Sequence, residues 1–173
     1  IFTGTELAAQ LRRAPFWVRL QTSEPARVFS EWSSLGWHWR VSPLLAGAVQ
    51  LEGEVDLART LAWQHGLVEV QDLGSQLVLA SAAPAPGGRW LDACAGAGGK
   101  TLQLARLLGR NGLIDAHDVR PAALRELRQR AKRAGVACDE QAHSPNGAGW
   151  ARLRTFDSHP SMAVYDGVLV DAP

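Results

Sequence analysis

The feature that most constrains this chain is a glycine-rich segment, Asp92-Ala-Cys-Ala-Gly-Ala-Gly-Gly-Lys-Thr101. It lies between a short apolar run, Trp90-Leu91, and the helix-like pattern of residues 102–108. This order predicts a strand, a loop and the start of a helix. Such a loop brings backbone N–H groups and the positive end of a helix dipole to the carboxyl end of a strand, where open α/β sheets bind nucleotide-like ligands. The alternative is a tight turn without a ligand, in which the glycines are needed only because the backbone adopts positive φ angles.

Spacing separates the nucleotide-binding loops that compete for this segment. A phosphate-binding loop of the GxxxxGK(S/T) type needs a glycine where Cys94 stands, and a GxGxxG dinucleotide fingerprint needs one where Thr101 stands. Both motifs are broken, which disfavours a nucleotide-hydrolysing or a nicotinamide-dependent enzyme. An acidic residue that closes a strand, followed by closely spaced glycines, has the general form of a methyltransferase cofactor loop.

Two more carboxylates follow predicted strands. Residues 112–118 predict a strand that ends in Asp118, about twenty residues beyond the loop, the offset at which an acidic side chain accepts hydrogen bonds from a ribose. Residues 165–171 predict another buried strand, which ends in Asp171. Because the carboxyl ends of parallel strands share one edge of a sheet, we expect Asp92, Asp118 and Asp171 to lie at one ligand site.

With these motifs the chain resembles the Sun/RsmB-like family of RNA cytosine-5 methyltransferases, which use S-adenosylmethionine. Four motifs arrive in the family's order, and the resemblance covers most of the chain after Phe16. Family members usually carry Ala and Pro where this chain has Gly96 and Ala97, a change that loosens the loop. The resemblance implies an α/β, Rossmann-like methyltransferase fold, present in part, with a mainly parallel sheet and flanking helices. The four motifs are Val70-Gln-Asp-Leu-Gly-Ser-Gln-Leu77, the glycine-rich segment, Asp118 and Val168-Leu-Val-Asp-Ala-Pro173.

The resemblance also implies a role for each site residue. The loop is expected to contact the methionine and adenosine parts of S-adenosylmethionine, Asp118 the ribose, and Asp171 the mouth between cofactor and base. In the family a carboxylate near the adenine follows the third strand, and Asp157 is the candidate here; an ordinary loop aspartate is an equally good interpretation. No metal is expected. The full set of expected cofactor contacts is Cys94, Ala95, Gly96, Ala97, Gly98, Gly99, Lys100, Asp118, Asp157 and Asp171.

The reaction that the resemblance implies requires a cysteine, because a thiolate must add to carbon 6 of cytosine before carbon 5 can accept a methyl group. The chain has two cysteines. Cys94 lies in the cofactor loop, where we expect a small buried side chain, and Cys138 follows the expected end of a helix. In the family one cysteine directly follows the Asp-Ala-Pro triplet and the nucleophile lies further on. We therefore expect the catalytic cysteines beyond Pro173, and we expect these residues alone to bind cofactor without methylating RNA.

The N-terminal third differs from the rest of the chain in its sequence pattern, and it predicts a separate small α/β domain. We place this domain at residues 1–66 and the N-terminal part of the methyltransferase domain at residues 67–173. Family members carry a small domain here that is similar to RNA-recognition modules, so Arg19 and Arg40 are predicted to contribute to an RNA-facing surface. The expected elements are a helix over 5–13, a strand over 16–21, a helix over 25–35 and a strand over 37–41.

Charge and composition narrow the classes of function and cellular location that remain. The formal net charge of +1 does not by itself indicate a nucleic-acid partner. Basic residues crowd a predicted helix over 122–134, and a solvated helix face is the plainer interpretation of that pattern. Two cysteines without a pairing pattern, no signal-like N-terminus and no apolar run near the length of a membrane span predict a cytoplasmic protein without a membrane partner.

The predicted function is methyl transfer from S-adenosylmethionine to carbon 5 of cytosine in RNA, with ribosomal RNA preferred to transfer RNA as the substrate. A non-catalytic protein of the same fold that binds S-adenosylmethionine or RNA is the alternative.

Overall fold

A computed structural model describes residues 3–4, 14–138, 149–158 and 164–172. These residues form two four-stranded sheets, one after the other along the chain, with helices packed against them. The helix expected over 5–13 lies outside the described residues. Within the described part of the chain, no helix combines the length and the apolar character that crossing a membrane requires.

The N-terminal sheet is antiparallel and has the strand order β2-β3-β1-β4. Its helices bury a compact apolar cluster against it, with Val18, Val28 and Trp32 each 0% exposed. The elements are β1 (Phe16–Leu20), α1 (Pro25–Ser34), β2 (His38–Val41), β3 (Ala48–Glu52), a 3-10 turn (Leu57–Arg59), α2 (Leu61–Gln64) and β4 (Val68–Val70).

The second sheet is parallel and has the strand order β7-β6-β5-β8. Side chains of β6 and β7 that face the helices, Ile114 and Leu153 among them, join Leu102, Leu124 and Leu127 in one core. This arrangement confirms the predicted α/β architecture with a parallel sheet and flanking helices. Its elements are α3 (Leu73–Ala82), β5 (Arg89–Asp92), α4 (Gly99–Leu108), β6 (Leu113–His117), α5 (Pro121–Arg133), β7 (Arg152–Phe156) and β8 (Gly167–Leu169).

Local sequence explains where the helices of this second unit begin. The Asp72 side chain accepts a hydrogen bond of 2.8 Å from the Gly74 N–H and so caps α3. Pro121 stands in the first turn of α5, where its fixed φ fits the helix and its missing N–H costs nothing. Along α5 the buried residues Leu124, Leu127 and Ala131 recur at helical spacing, so one face joins the core and the basic side chains occupy the others.

The predicted division between residues 66 and 67 needs a correction. β4 lies on the far side of that division, yet it pairs with β1, with Val18 opposite Val70 and Leu20 opposite Val68. The N-terminal sheet therefore extends to Val70. Neither this strand nor β3 was predicted from the sequence, because a short apolar run becomes a strand only through partners that are distant in sequence.

Candidate functional site

The glycine-rich loop connects β5 to α4 and is hydrogen-bonded to the neighbouring strand. The Ala95 N–H donates to the His117 carbonyl at 2.8 Å, and the Gly96 N–H donates to Oδ2 of Asp118, also at 2.8 Å. The Gly98 N–H turns back to the Ala95 carbonyl at 2.9 Å. The loop is thus fixed both to the end of β6 and to itself.

Gly98 is the loop position where a side chain would be strained and would displace Leu127. Its φ is +88°, in the left-handed region, and a Cβ atom there would lie 2.1 Å from Cδ1 of Leu127. Gly96 also has a positive φ, +54°, but a Cβ at that position would approach nothing closer than the Arg120 guanidinium at 3.8 Å. Gly98 therefore serves close packing of the loop against α5 as well as backbone conformation.

A cleft of about 300 Å³ opens beside this loop at the carboxyl edge of the parallel sheet. The positive end of the α4 dipole lies at the same edge, which favours ligands that carry negative charge or hydrogen-bond acceptors. The residues that line the cleft are Ser75, Asp92, Cys94, Ala95, Gly96, Gly99, Lys100, Arg120, Asp171 and Ala172.

Asp92 ends β5 at the floor of the cleft. The residue is 1% exposed, and its Oδ2 accepts a hydrogen bond of 2.7 Å from the Thr101 hydroxyl. Burial raises the pKa of Asp92 to about 6, although hydrogen bonds from the Thr101 hydroxyl and the Cys94 N–H oppose the rise. Asp92 is therefore a carboxyl group whose charge the protein stabilises incompletely.

Lys100 and Asp171 connect the loop to the end of β8. The Lys100 ammonium lies 2.6 Å from Oδ2 of Asp171, and the two side chains are 14% and 56% exposed. Because both residues line the cleft, this ion pair places a positive and a negative charge together at its border.

Asp118 follows β6 and is held more tightly than the sequence suggests. Its carboxylate is 4% exposed and accepts hydrogen bonds from the backbone N–H groups of Gly96 and Arg120 and from the Arg120 guanidinium. The Arg120 guanidinium holds the pKa of Asp118 well below its usual range, so the group is ionised. Arg120 was not predicted as a site residue, yet it lines the cleft in front of Asp118. Its sequence signal is its place two residues after the strand-end carboxylate.

The structure brings most of the predicted site residues together, with exceptions. Ala97, Gly98 and Asp118 support the loop without lining the cleft, and Asp157 is an exposed residue just after β7, outside the lining. The expectation of a buried Cys94 is wrong, since this side chain is half-buried and lines the cleft. Cys138, in contrast, packs against the core of the parallel sheet.

The two arginines predicted to face RNA differ in position. Arg40 is exposed on β2, where it pairs with Glu52. The prediction for Arg19 is wrong as to its surroundings, because Arg19 is 5% exposed and its Nε donates to the Gln71 side chain at 2.7 Å. Burial lowers the pKa of Arg19 to about 9. The sequence predicted both residues at an RNA-facing surface, and only the tertiary contacts reveal that Arg19 is covered, since its guanidinium meets the Gln71 side chain and the Gly99 carbonyl.

The parallel sheet, its glycine-rich loop and the acidic residues at its strand ends define a Rossmann-like methyltransferase fold, present in part. The chain belongs to the RsmB/F family of 16S rRNA methyltransferases: the family model described as 16S rRNA methyltransferase RsmB/F matches residues 79–173.

Individual relatives agree with this assignment. Ribosomal RNA small subunit methyltransferase B of Xanthomonas campestris pv. campestris is 34% identical over 166 residues, which cover 94% of this chain and 36% of that protein. The 28S rRNA (cytosine-C(5))-methyltransferase of Mus musculus is 35% identical over 134 residues, which cover 74% of this chain and 29% of that protein. The chain thus spans only a minor part of the length of these relatives.

A solved structure supports the fold. The crystal structure of NSun6 from Pyrococcus horikoshii with SFG superposes with a TM-score of 0.76 at 16% sequence identity, over 92% of this chain and 63% of that one. The match extends across both sheets, so the antiparallel sheet and the parallel sheet recur together in that protein.

Proposed function

We propose that these residues form the cofactor-binding part of an enzyme that transfers a methyl group from S-adenosylmethionine to carbon 5 of cytosine in ribosomal RNA. The observation that carries the proposal is the cleft at the carboxyl edge of the parallel sheet, bordered by the glycine-rich loop and by Asp171, in a chain of the RsmB/F family. The name of the mouse relative specifies cytosine carbon 5 of 28S rRNA as the target of that protein.

Residues that line the cleft or stand directly behind its lining supply a partner for each part of S-adenosylmethionine in this proposal. The loop from Cys94 to Lys100 contacts the methionine and adenosine parts in this proposal, and the Lys100 ammonium attracts the methionine carboxylate. Asp118 is ionised, and a carboxylate has several acceptor sites. It is therefore suited to accept hydrogen bonds from the ribose hydroxyls as well as from the Arg120 guanidinium. Asp171 lies at the mouth, where the base would enter.

Asp157 completes the proposed set near the adenine. Strands β6 and β7 are paired so that His117 stands opposite Phe156. Asp118 and Asp157 therefore follow neighbouring strands at the same edge of the sheet. An exposed carboxylate in that position can accept a hydrogen bond from an adenine amino group.

The chain's own residues bind and orient in this proposal, and they do not supply the attacking thiolate. S-adenosylmethionine, when bound, supplies an electrophilic methyl group. Cys138 packs against the core of the parallel sheet and Cys94 belongs to the cofactor loop, so we assign neither as the nucleophile. On the RNA side, Arg40 is the remaining candidate for a phosphate contact, since its guanidinium is exposed.

Calorimetric titration of the 173-residue protein with S-adenosylmethionine, NAD and ATP tests the cofactor. We expect saturable binding of S-adenosylmethionine alone, with a matching rise in thermal stability because the ligand binds only the folded state. Asp118→Ala should weaken binding by about 1 to 3 kcal/mol if the carboxylate holds the ribose. Thr22→Ala, outside the cleft, is the control. Binding of NAD or ATP in preference to S-adenosylmethionine would contradict the proposal.

Methyl transfer is tested with isotopically labelled S-adenosylmethionine and ribosomal RNA, using a full-length enzyme that contains these residues. We expect label in 5-methylcytosine of ribosomal RNA, and loss of that label when Asp171 is replaced by Asn. A protein that binds S-adenosylmethionine and RNA but incorporates no label would favour the non-catalytic alternative. Label in transfer RNA alone would correct the proposed substrate.

A further inference from the structure

A buried ion-pair cluster joins the N-terminal sheet to α5. Glu69 of β4 is 0% exposed, and its carboxylate accepts hydrogen bonds from the guanidinium groups of Arg130 and Arg133. Arg130 Nε and Nη2 lie 2.8 and 2.5 Å from Oε2 of Glu69. Arg133 also lies over the Trp63 ring, with 3.8 Å between the guanidinium carbon and the ring centroid. One sheet thus contributes the anion, and a helix of the other unit contributes both cations.

Arg130 extends this cluster to the glycine-rich loop. Its Nη1 donates to the Ala97 carbonyl at 2.9 Å, and its Nη2 also lies 3.4 Å from the Val70 carbonyl. The Gly98 N–H donates to the Ala95 carbonyl, so the peptide between Ala97 and Gly98 is held at both its oxygen and its nitrogen. The contacts described for Arg133 go instead to Glu69 and Trp63.

Arg19 makes a second, longer contact from the same sheet. Its Nη2 lies 3.5 Å from the Gly99 carbonyl, while its Nε is fixed by the Gln71 side chain at 2.7 Å. Gln71 in turn donates to the Gln103 side chain of α4 at 2.9 Å. Guanidinium groups therefore meet the loop carbonyls on both sides of Gly98, the residue with the tightest packing in the loop.

We propose that Glu69 and Arg130 are positioning residues, through which the N-terminal sheet sets the conformation of the cofactor loop and so the affinity for S-adenosylmethionine. The sheet strands β1 to β4 contribute no residue to the lining of the cleft in the described part of the chain, so they act on it through contacts with the loop, of which the 2.9 Å hydrogen bond from Arg130, held by Glu69, to the Ala97 carbonyl is the shorter and that of Arg19 with the Gly99 carbonyl the longer. This inference rests on the proposed function, because it takes the loop to be the cofactor-binding element.

The test compares two arginines that share one partner. Arg130→Gln removes a cation from Glu69 together with the hydrogen bond to Ala97, whereas Arg133→Gln removes a cation from Glu69 and leaves the loop contact in place. For each variant the dissociation constant for S-adenosylmethionine is measured by calorimetry, and the stability without ligand is measured by urea unfolding. Arg130→Lys, which keeps the positive charge but not the planar fork of donors, is the conservative variant.

We expect both glutamine variants to unfold at lower urea concentration. Arg130→Gln should bind S-adenosylmethionine roughly ten-fold more weakly, the size expected from the loss of one charge-assisted hydrogen bond, and Arg133→Gln less than about two-fold more weakly. Arg130→Lys should bind with intermediate affinity. If Arg130→Gln does not fold, a weaker affinity of Arg130→Lys relative to Arg133→Gln supports the inference.

The inference would be overturned if the Arg130 and Arg133 variants bound S-adenosylmethionine with equal affinity. It would also be overturned if the affinities of the variants simply tracked their urea midpoints, because lost stability would then explain the weaker binding. A different result, that the unmodified protein does not bind S-adenosylmethionine at all, would contradict the proposed function and this inference with it.

Discussion

The two sheets treat their buried carboxylates in different ways. Glu69 of the N-terminal sheet is 0% exposed and accepts hydrogen bonds from two arginines, whereas Asp92 of the parallel sheet is 1% exposed and is held by a hydroxyl and a backbone N–H. At the junction the carboxylate is paired with two cations of the protein itself. At the floor of the cleft the hydrogen-bond donors are neutral, and burial raises the pKa of Asp92 to about 6. The comparison separates a carboxylate that holds two units together from one that lines the cleft.

The largest effect is expected from Glu69→Gln. Removing this anion leaves Arg130 and Arg133, whose side chains are only 14% and 20% exposed, without their counter-charge. This should cost about 3 kcal/mol in the free energy of unfolding, the lower end of the range for a buried pair, measured with urea. Glu52→Gln is the matched control, because it breaks the exposed pair with Arg40 and should cost less than about 1 kcal/mol. If both variants lost similarly little stability, Glu69 would not be a carboxylate that holds the two units together.

Gly98→Ala should have an effect of similar size, on the cleft side. A methyl group there meets Leu127 at 2.1 Å and the residue must keep a positive φ, so we expect a loss of about 3 kcal/mol together with greatly weakened S-adenosylmethionine binding. Gly96→Ala, with open space around it, should lose about 1 kcal/mol. Chemical unfolding and ligand titration measure both; a harmless Gly98→Ala would show that the loop packs differently.

The pH dependence of stability sharpens the description of Asp92. Its folded pKa of about 6 exceeds the ordinary value of 3.8, so the folded state binds the proton more tightly than the unfolded state. The resulting stabilisation is complete below about pH 4 and is lost as pH rises through 6, an effect of roughly 2 to 3 kcal/mol. Urea midpoints between pH 4 and 7 should show this decline, and Asp92→Asn should flatten it. A wild-type curve parallel to that of the variant would show that Asp92 titrates normally.

The smallest effect is expected at the exposed surface of the N-terminal sheet. Arg40→Gln should leave stability within about 0.5 kcal/mol of the unmodified protein. If Arg40 contacts a phosphate, the slope of log affinity for ribosomal RNA against log salt should fall by about 0.7. Arg59→Gln, another exposed and paired arginine, is the control. An unchanged slope for Arg40→Gln would leave the N-terminal sheet with a role in supporting the loop only.

Motif spacing correctly predicted much of the parallel unit. The strands that end in Asp92, Asp118 and Asp171 were expected, as was the glycine loop between the first of them and α4. These features depend on neighbours in sequence, namely apolar runs, a following glycine or proline, and an acidic residue at a fixed offset. The antiparallel unit was only partly predictable, because the pairing of β1 with β3 and β4 joins residues far apart in the chain.

The amino-acid sequence by itself determined the family, the order of strands and helices around the loop, and the need for glycine in that loop, because each of these is written in local pattern and spacing. Only the tertiary structure decided which charged groups are buried. Arg19 and Arg40 stand on the same kind of strand, yet one lies inside a hydrogen-bond network and the other in solvent. Whether a charge is solvated depends on what packs over it, and in this protein Glu69, Arg130 and the glycine-rich loop meet only when the two sheets come together.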